Sequence, residues 1–220
     1  MAVKNYIYNS LRYLVPQLYF EKMNLMRKIR FYREKKIIFI HVPKAAGTSV
    51  ANALYGKTLG HFKAKMIMEL YPKEFSEFFT FAIVRNPYSR VISAYKFVKQ
   101  GGTEYMGVAK KSVYKSKLFS SFDIFVKEWL SKVDLSNEDY VFQPQYLFTH
   151  DEYDRLLVDK IWQMEGLDLF QKEFSEETGI QLNIKHLNRS KKSEIELNDE
   201  LKQIIYEVYK KDFELFGYEK

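Results

Sequence analysis

The sequence of 220 residues contains no cysteine. This absence excludes a disulfide framework and a thiolate metal site. No apolar run approaches the roughly 20 residues that a transmembrane helix needs. Residues 1–20 also lack the compact apolar block and small-residue cleavage site of a signal peptide. Together these absences predict a soluble protein, and we expect it in the cytoplasm.

The composition is that of a folded globular chain, with 46% hydrophobic and 29% charged residues. Its length suits one hydrophobic core rather than two. The formal net charge of +7 favours anionic ligands such as phosphates, sulfates, acidic glycans or nucleic acid, without selecting one. No recognised nucleic-acid-binding motif accompanies that charge, so we expect no nucleic-acid partner.

The N-terminal part mixes apolar and basic residues between positions 11 and 36. Two interpretations are open: an amphipathic helix that lies on an acidic membrane surface, or a helix packed on the domain edge with a solvated basic face. We therefore predict a helical, basic extension over residues 1–36 and a single domain over residues 37–220. The oligomeric state is open.

Unbroken β-branched and aromatic runs predict buried strands at Ile37–Val42 and Phe78–Val84, with a weaker candidate at Leu156–Glu165. Helices are predicted from about Thr48 and from near Pro87. This alternation predicts an α/β fold, a three-layer αβα domain with a central, mostly parallel sheet.

Three further segments have local signals. Residues 122–130 and the C-terminal segment show helical spacing, and Asn198 is a candidate N-cap for the latter. Residues 99–117 are basic, aperiodic and contain glycine, which predicts a mobile loop beside the site.

The first strand runs directly into the sequence HVPKAAGTS. Ligands of parallel sheets bind beyond the carboxyl ends of the strands, where helix N-termini offer backbone N–H groups to anions. The small residues 45–47 allow such a close approach, and the hydroxyls of Thr48 and Ser49 and the ammonium of Lys44 add donors. The nucleoside triphosphatase loop differs, because its lysine follows the last glycine whereas Lys44 precedes Gly47.

The second strand runs into FAIVRNPYSRVISAYKF. Arg85 stands at the end of that strand, and Ser93 follows eight residues later. A guanidinium can hold a phosphate through two hydrogen bonds, and a serine hydroxyl can complete the contact. Two strand ends therefore carry residues suited to one doubly anionic ligand.

These two motifs resemble the 5′-phosphosulfate loop and the 3′-phosphate motif of the sulfotransferase superfamily, and most closely those of Golgi-type and bacterial carbohydrate sulfotransferases. The family patterns are H-x-P-K-[TA]-[AG]-[GS]-T-S and F-x-x-V-R-[DN]-P-x-x-R-x-x-S-x-Y. The later stretches FQPQYLF, VDKIWQMEGL, HLNRS and YKKDFELFGY extend the resemblance over about residues 37–218. It implies a P-loop-like fold and O-sulfation of a hydroxyl-bearing acceptor, with a carbohydrate favoured.

The resemblance also implies 3′-phosphoadenosine 5′-phosphosulfate as the cofactor, adenosine 3′,5′-bisphosphate as its product, and no metal. The residues that it assigns to cofactor binding are Lys44, Ala45, Ala46, Gly47, Thr48, Ser49, Arg85, Ser93, Arg189, Ser190 and Lys191. The last three match a late loop that closes over the nucleotide, and a basic solvated loop is their alternative.

Sulfuryl transfer needs a base that accepts the acceptor proton. It also needs a positively charged group next to the bridging oxygen of the departing phosphate. Lys44 is the candidate for the charge. His61 is the candidate base, since relatives of this kind have a histidine in this interval and a near-neutral pKa suits the role. His41 is expected to stack or hydrogen-bond in the core. The carboxylates that remain as alternative bases are Glu69, Glu104 and Asp123.

Two other functions remain open on the sequence. One is a kinase that uses ATP on a related phosphate loop, and the other is a non-catalytic module that binds sulfated glycans. An acidic oligosaccharide acceptor would fit a basic cleft, although the same lysines could form a solvated loop; they are Lys110, Lys111, Lys115 and Lys117.

Overall fold

The structure, a computed structural model, describes residues 17–103, 107–184 and 195–220. Its helices and strands follow in chain order: α1 (Gln17–Lys35), β1 (Ile37–Ile40), α2 (Gly47–Tyr55), α3 (Ala64–Leu70), α4 (Pro72–Glu77), β2 (Phe79–Val84), α5 (Pro87–Lys99), α6 (Lys111–Tyr114), α7 (Phe122–Ile124), α8 (Tyr146–Thr149), β3 (Lys160–Gln163), α9 (Leu167–Thr178), α10 (Asp199–Val208) and α11 (Lys210–Phe216). Short 3₁₀ segments lie at Lys117–Phe119, Leu135–Asn137 and Met164–Gly166, and a π-helix at Phe125–Leu130 continues α7.

A parallel sheet in the order β1-β2-β3 lies at the centre. Ile37 faces Phe79 across the first pair, and Phe81 faces Lys160 across the second. Helices flank the sheet because parallel neighbours require crossover connections. The predicted α/β class and three-layer arrangement are confirmed. The third strand is shorter than its apolar run, since only Lys160–Gln163 pairs with β2.

Helix α1 packs its inner face into the core that surrounds β1. Leu25, Ile29 and Tyr32 are buried there with the strand residues. Large apolar side chains on α1 outside that core are exposed: Leu18, Tyr19, Met23 and Met26. The helix thus has the edge-packed position of the second interpretation. Membrane contact and the boundary at residue 36 stay predictions. Among the residues described, no helix combines the length and apolar character needed to cross a bilayer.

A second hydrophobic cluster joins α5 to the C-terminal helices. The helical spacing of residues 122–130 is confirmed, with the last six residues wound as a π-helix. The predicted cap is also confirmed, because the Asn198 side chain accepts a hydrogen bond from the Leu201 amide at 2.9 Å. Residues 99–117 differ from the predicted loop in that Lys111–Tyr114 is helical and Tyr114 is buried.

Candidate functional site

The loop after β1 has a backbone suited to an anion. Lys44 and Ala46 both have positive φ, at 68° and 59°. Left-handed non-glycine residues are costly and turn successive backbone N–H groups into a concave surface. Helix α2 begins directly afterwards at Gly47, and its first-turn amides have no intrahelical acceptors. The exposed Thr48 side chain lies on this first turn.

Gly47 allows the ring of His41 to pack against the start of α2. A Cβ atom on Gly47 would lie 2.0 Å from Cδ2 of His41, and this distance is too short for two nonbonded carbon atoms. The His41 ring is buried and stacks on Phe39, with centroids 5.7 Å apart. The expectation that His41 belongs to the core is confirmed. Gly47 is therefore required by packing against His41.

The Lys44 side chain lies over an aromatic ring rather than beside an acid. Its Nζ is 4.5 Å from the centroid of Phe97. Burial, followed by the positive charges of Arg85 and Arg90, lowers the pKa of Lys44 to about 8. No carboxylate within the described ranges forms an ion pair with this ammonium. A cation held in this way gains strongly from an anionic ligand.

Arg85 leaves the end of β2 and contacts the first loop. Its Nη1 donates a hydrogen bond to the carbonyl oxygen of Lys44 at 3.3 Å, and its Nε donates to Oγ of Ser89 at 2.9 Å. The hydroxyl beside this guanidinium thus belongs to Ser89. Ser93 lies one helical turn further along α5, on the same side of the helix. Lys44 and Arg85 are brought together at one site.

The side chain of Gln145 holds the backbone of Arg85 through two hydrogen bonds. Its Oε1 accepts from the Arg85 amide at 2.9 Å, and its Nε2 donates to the Arg85 carbonyl at 2.8 Å. Gln145 is fully buried, so both bonds are shielded from water. Gln145 belongs to FQPQYLF, one of the stretches that extend the family resemblance. The signal for it was the pair of glutamines, Gln143 and Gln145, inside an otherwise apolar and aromatic stretch.

Arg90 is a second arginine that the sequence analysis did not assign. Its side chain is buried; its Nε donates to the carbonyl of Pro43 at 3.0 Å, and its Nη2 donates to that of Gln143 at 2.8 Å. Burial raises the pKa of the neighbouring Asp212 to about 6. The charge of Arg90 and hydrogen bonds from two backbone amides act in the opposite direction and limit this rise. Arg90 thus links the loop after β1 to the segment that contains Gln143. Its position on the apolar face of α5 was the signal available.

His61 lies in the segment without regular secondary structure before α3 and is partly exposed. Its Nδ1 is 2.9 Å from the carbonyl oxygen of His41. A carbonyl can only accept, so Nδ1 carries the proton and Nε2 of the neutral ring keeps its lone pair. Burial lowers the pKa of His61; the bond to His41 opposes this, and the charges of Arg90 and Lys44 add to it. The ring is therefore neutral at pH 7.

A cavity of about 500 Å³ opens beside His61. It lies between the first half of α1, residues 59–62, the end of α5, and residues 107–110 and 137–141. Phe97, which carries the Lys44 ammonium on its ring, is part of the wall. The cavity is thus lined by His61, and Lys44 contacts one of its wall residues, Phe97.

The alternative bases are placed elsewhere or are not described. Glu69 and Asp123 are exposed and do not line this cavity. Glu104 lies outside the described residues, as do Arg189, Ser190 and Lys191. Within the described ranges, no group of three or more His, Cys, Asp or Glu side chains could hold a metal ion.

The sequence matches a protein family described as the Sulfotransferase family over residues 27–219, which is most of the chain. A search of the curated proteins finds no significant match.

Proposed function

Because the chain belongs to the sulfotransferase family, we propose that it transfers the sulfuryl group of 3′-phosphoadenosine 5′-phosphosulfate to a hydroxyl, with a carbohydrate as the acceptor. Membership of the family by itself makes the protein a sulfotransferase. One observation supports the identity of the donor: the guanidinium of Arg85 bonds to the backbone of Lys44, so both cations lie at one site.

The residues present fit such a nucleotide. The loop at Lys44–Ser49 offers backbone amides and a lysine that no described carboxylate neutralises, which suits the 5′-phosphosulfate. Arg85, with Ser89 and Ser93 along one side of α5, suits the 3′-phosphate. Arg189, Ser190 and Lys191 remain proposed as the residues that close over the nucleotide.

His61 and Lys44 are proposed to carry the chemistry. The bound nucleotide supplies the sulfuryl group, whose bond to the acceptor oxygen forms as its bond to the bridging phosphate oxygen breaks. His61 accepts the hydroxyl proton on Nε2, since its Nδ1–H is held by the His41 carbonyl. Lys44 stabilises the negative charge that develops on the departing phosphate, in a buried setting where one charge has a large effect.

Calorimetry tests the class of nucleotide. We expect adenosine 3′,5′-bisphosphate to bind clearly more tightly than ATP with Mg²⁺. Arg85→Met should weaken the binding of the bisphosphate by roughly 10-fold or more, because it removes a charge-assisted contact to phosphate. Arg155→Met is the matched control, since Arg155 is an exposed arginine whose partner is Asp151. Preference for ATP would instead favour the kinase.

The acceptor position that is sulfated is left to an acceptor screen with labelled donor. We also propose a cytoplasmic location and peripheral membrane contact through residues 11–36.

A further inference from the structure

The cavity beside His61 has a composition that bears on the acceptor. Its volume of about 500 Å³ falls within the roughly 300–1,000 Å³ of small-ligand sites. His61 is one of its lining residues, so an acceptor bound here would lie next to the proposed base. A sugar of mono- or disaccharide size fits it better than a long polymer chain does.

Among the residues that the structure describes, the cavity wall is rich in acidic side chains. Three carboxylates line it, those of Glu21, Glu138 and Asp139, together with one lysine, Lys110. The Lys110 ammonium lies 2.6 Å from Oε1 of Glu138 and is neutralised there. The other lysines of the predicted basic cleft are exposed and do not line the cavity: Lys111, Lys115 and Lys117.

One carboxylate oxygen in this wall has no partner within the described ranges. The side chain of Glu138 is only 10% exposed, and its Oε2 is shielded from solvent without a hydrogen bond. A buried acceptor that lacks a donor costs free energy, and a ligand hydroxyl or ammonium would remove that cost. The carboxylate of an acidic ligand would instead be repelled by the Glu138 carboxylate, because both carry negative charge and neither has a proton to donate.

Aromatic rings complete the wall. Phe62, Phe97 and Tyr140 border the cavity next to the carboxylates. The Tyr140 hydroxyl bonds to Glu21, which leaves its ring as an apolar surface. Apolar ring faces beside carboxylate acceptors match the two surfaces of a sugar, its C–H face and its hydroxyl edge.

We propose that this cavity receives the acceptor and that its carboxylates select an uncharged or amino-bearing sugar over an acidic glycan. The proposal rests on the proposed function, because it takes His61 as the base. It replaces the acidic oligosaccharide that the lysines of residues 110–117 suggest. Glu138 is the residue to which we assign most of the discrimination, since it is buried and incompletely paired.

Three sugars that differ in one group test the proposal: methyl glucoside, its 2-amino analogue and methyl glucuronide. Each is titrated by ligand-observed NMR into the full chain, with and without saturating adenosine 3′,5′-bisphosphate. We expect the glucoside and the amino sugar to bind at least about 10-fold more tightly than the glucuronide, which corresponds to one unfavourable charge contact. Glu138→Gln, which keeps the side-chain shape, should reduce this ratio several-fold.

Glu128→Gln is the matched control, because Glu128 also pairs with a lysine but lies on the exposed surface. It should leave the ratio unchanged. Equal or tighter binding of the glucuronide overturns the proposal, and so does binding of none of the three sugars by a protein that binds the bisphosphate. Failure to bind the bisphosphate overturns the proposed function instead, and with it the assignment of the cavity to an acceptor.

Discussion

The side chain of Arg90 donates a hydrogen bond to the carbonyl oxygen of Pro43 at 3.0 Å, although 47 residues separate them. This bond joins Arg90, in the first turn of α5, to the loop that carries Lys44. A second bond from the same guanidinium reaches Gln143. The loop after β1 is therefore held by two arginines, since Arg90 bonds to Pro43 and Arg85 bonds to Lys44.

Arg90→Met should destabilise the fold severely. It leaves two buried carbonyls without donors and leaves Asp212 without a nearby positive charge. We expect a loss of roughly 3 kcal/mol or more in the free energy of unfolding. Urea denaturation of both proteins measures it. The control is Lys132→Met on an exposed ion pair, which should change little. Equal stability of the two variants would mean that Arg90 is dispensable to the loop.

Gly47→Ala should disturb the site through His41. The new Cβ would lie 2.0 Å from the buried ring, so the ring or the helix must shift. We expect a stability loss of about 1–3 kcal/mol. The double variant His41→Ala/Gly47→Ala removes the His41 ring and should recover part of the lost stability. Gly166→Ala is the control, because a Cβ there meets nothing within 4 Å. Thermal unfolding of the four proteins shows whether the clash is real.

The sequence predicts the strands and the anion loop because local signals determine them. Apolar runs mark β1 and β2, and small residues with a lysine mark the turn. Local patterns mark Arg90, Gln143 and Gln145 as polar residues in apolar surroundings, but they do not identify the partners of these residues, which lie 47 to 60 positions away. The acidic cavity wall was hidden for the same reason: Glu21 and Glu138 meet only in the folded chain.

Lys44→Met should lower both turnover and affinity for the nucleotide. The substitution keeps the packing on Phe97 but removes the cation, and loss of such a charge typically costs about 10²- to 10³-fold in kcat. The matched control is Lys57→Met, because Lys57 also lies over a phenylalanine ring, that of Phe31, but is exposed. Single-turnover rates separate chemistry from binding. A change in affinity alone would restrict Lys44 to nucleotide binding.

The dependence of kcat/KM on pH should be bell-shaped. His61 must be neutral to accept a proton, and burial places its pKa below the ordinary 6.5, so activity falls only as pH drops below that value. Lys44 must be charged, and its pKa of about 8 in the protein without ligand makes activity fall as pH rises through about 8. Bound anionic nucleotide raises the Lys44 pKa, so the basic limb of kcat should lie higher. A profile without a limb near pH 8 in kcat/KM would remove Lys44 from the titrating groups.

His61→Asn should abolish general-base catalysis while it keeps a donor toward the His41 carbonyl. We expect turnover to fall by about 10²- to 10⁴-fold and the acid limb of the pH profile to disappear, with nucleotide affinity nearly unchanged. The matched control is His150→Asn, because His150 is a partly exposed histidine that lines a separate pocket near the end of α11. Turnover close to that of the unmodified protein in the His61 variant would assign the base to another residue. Loss of nucleotide binding in step with turnover would show that His61 supports the loop rather than the reaction.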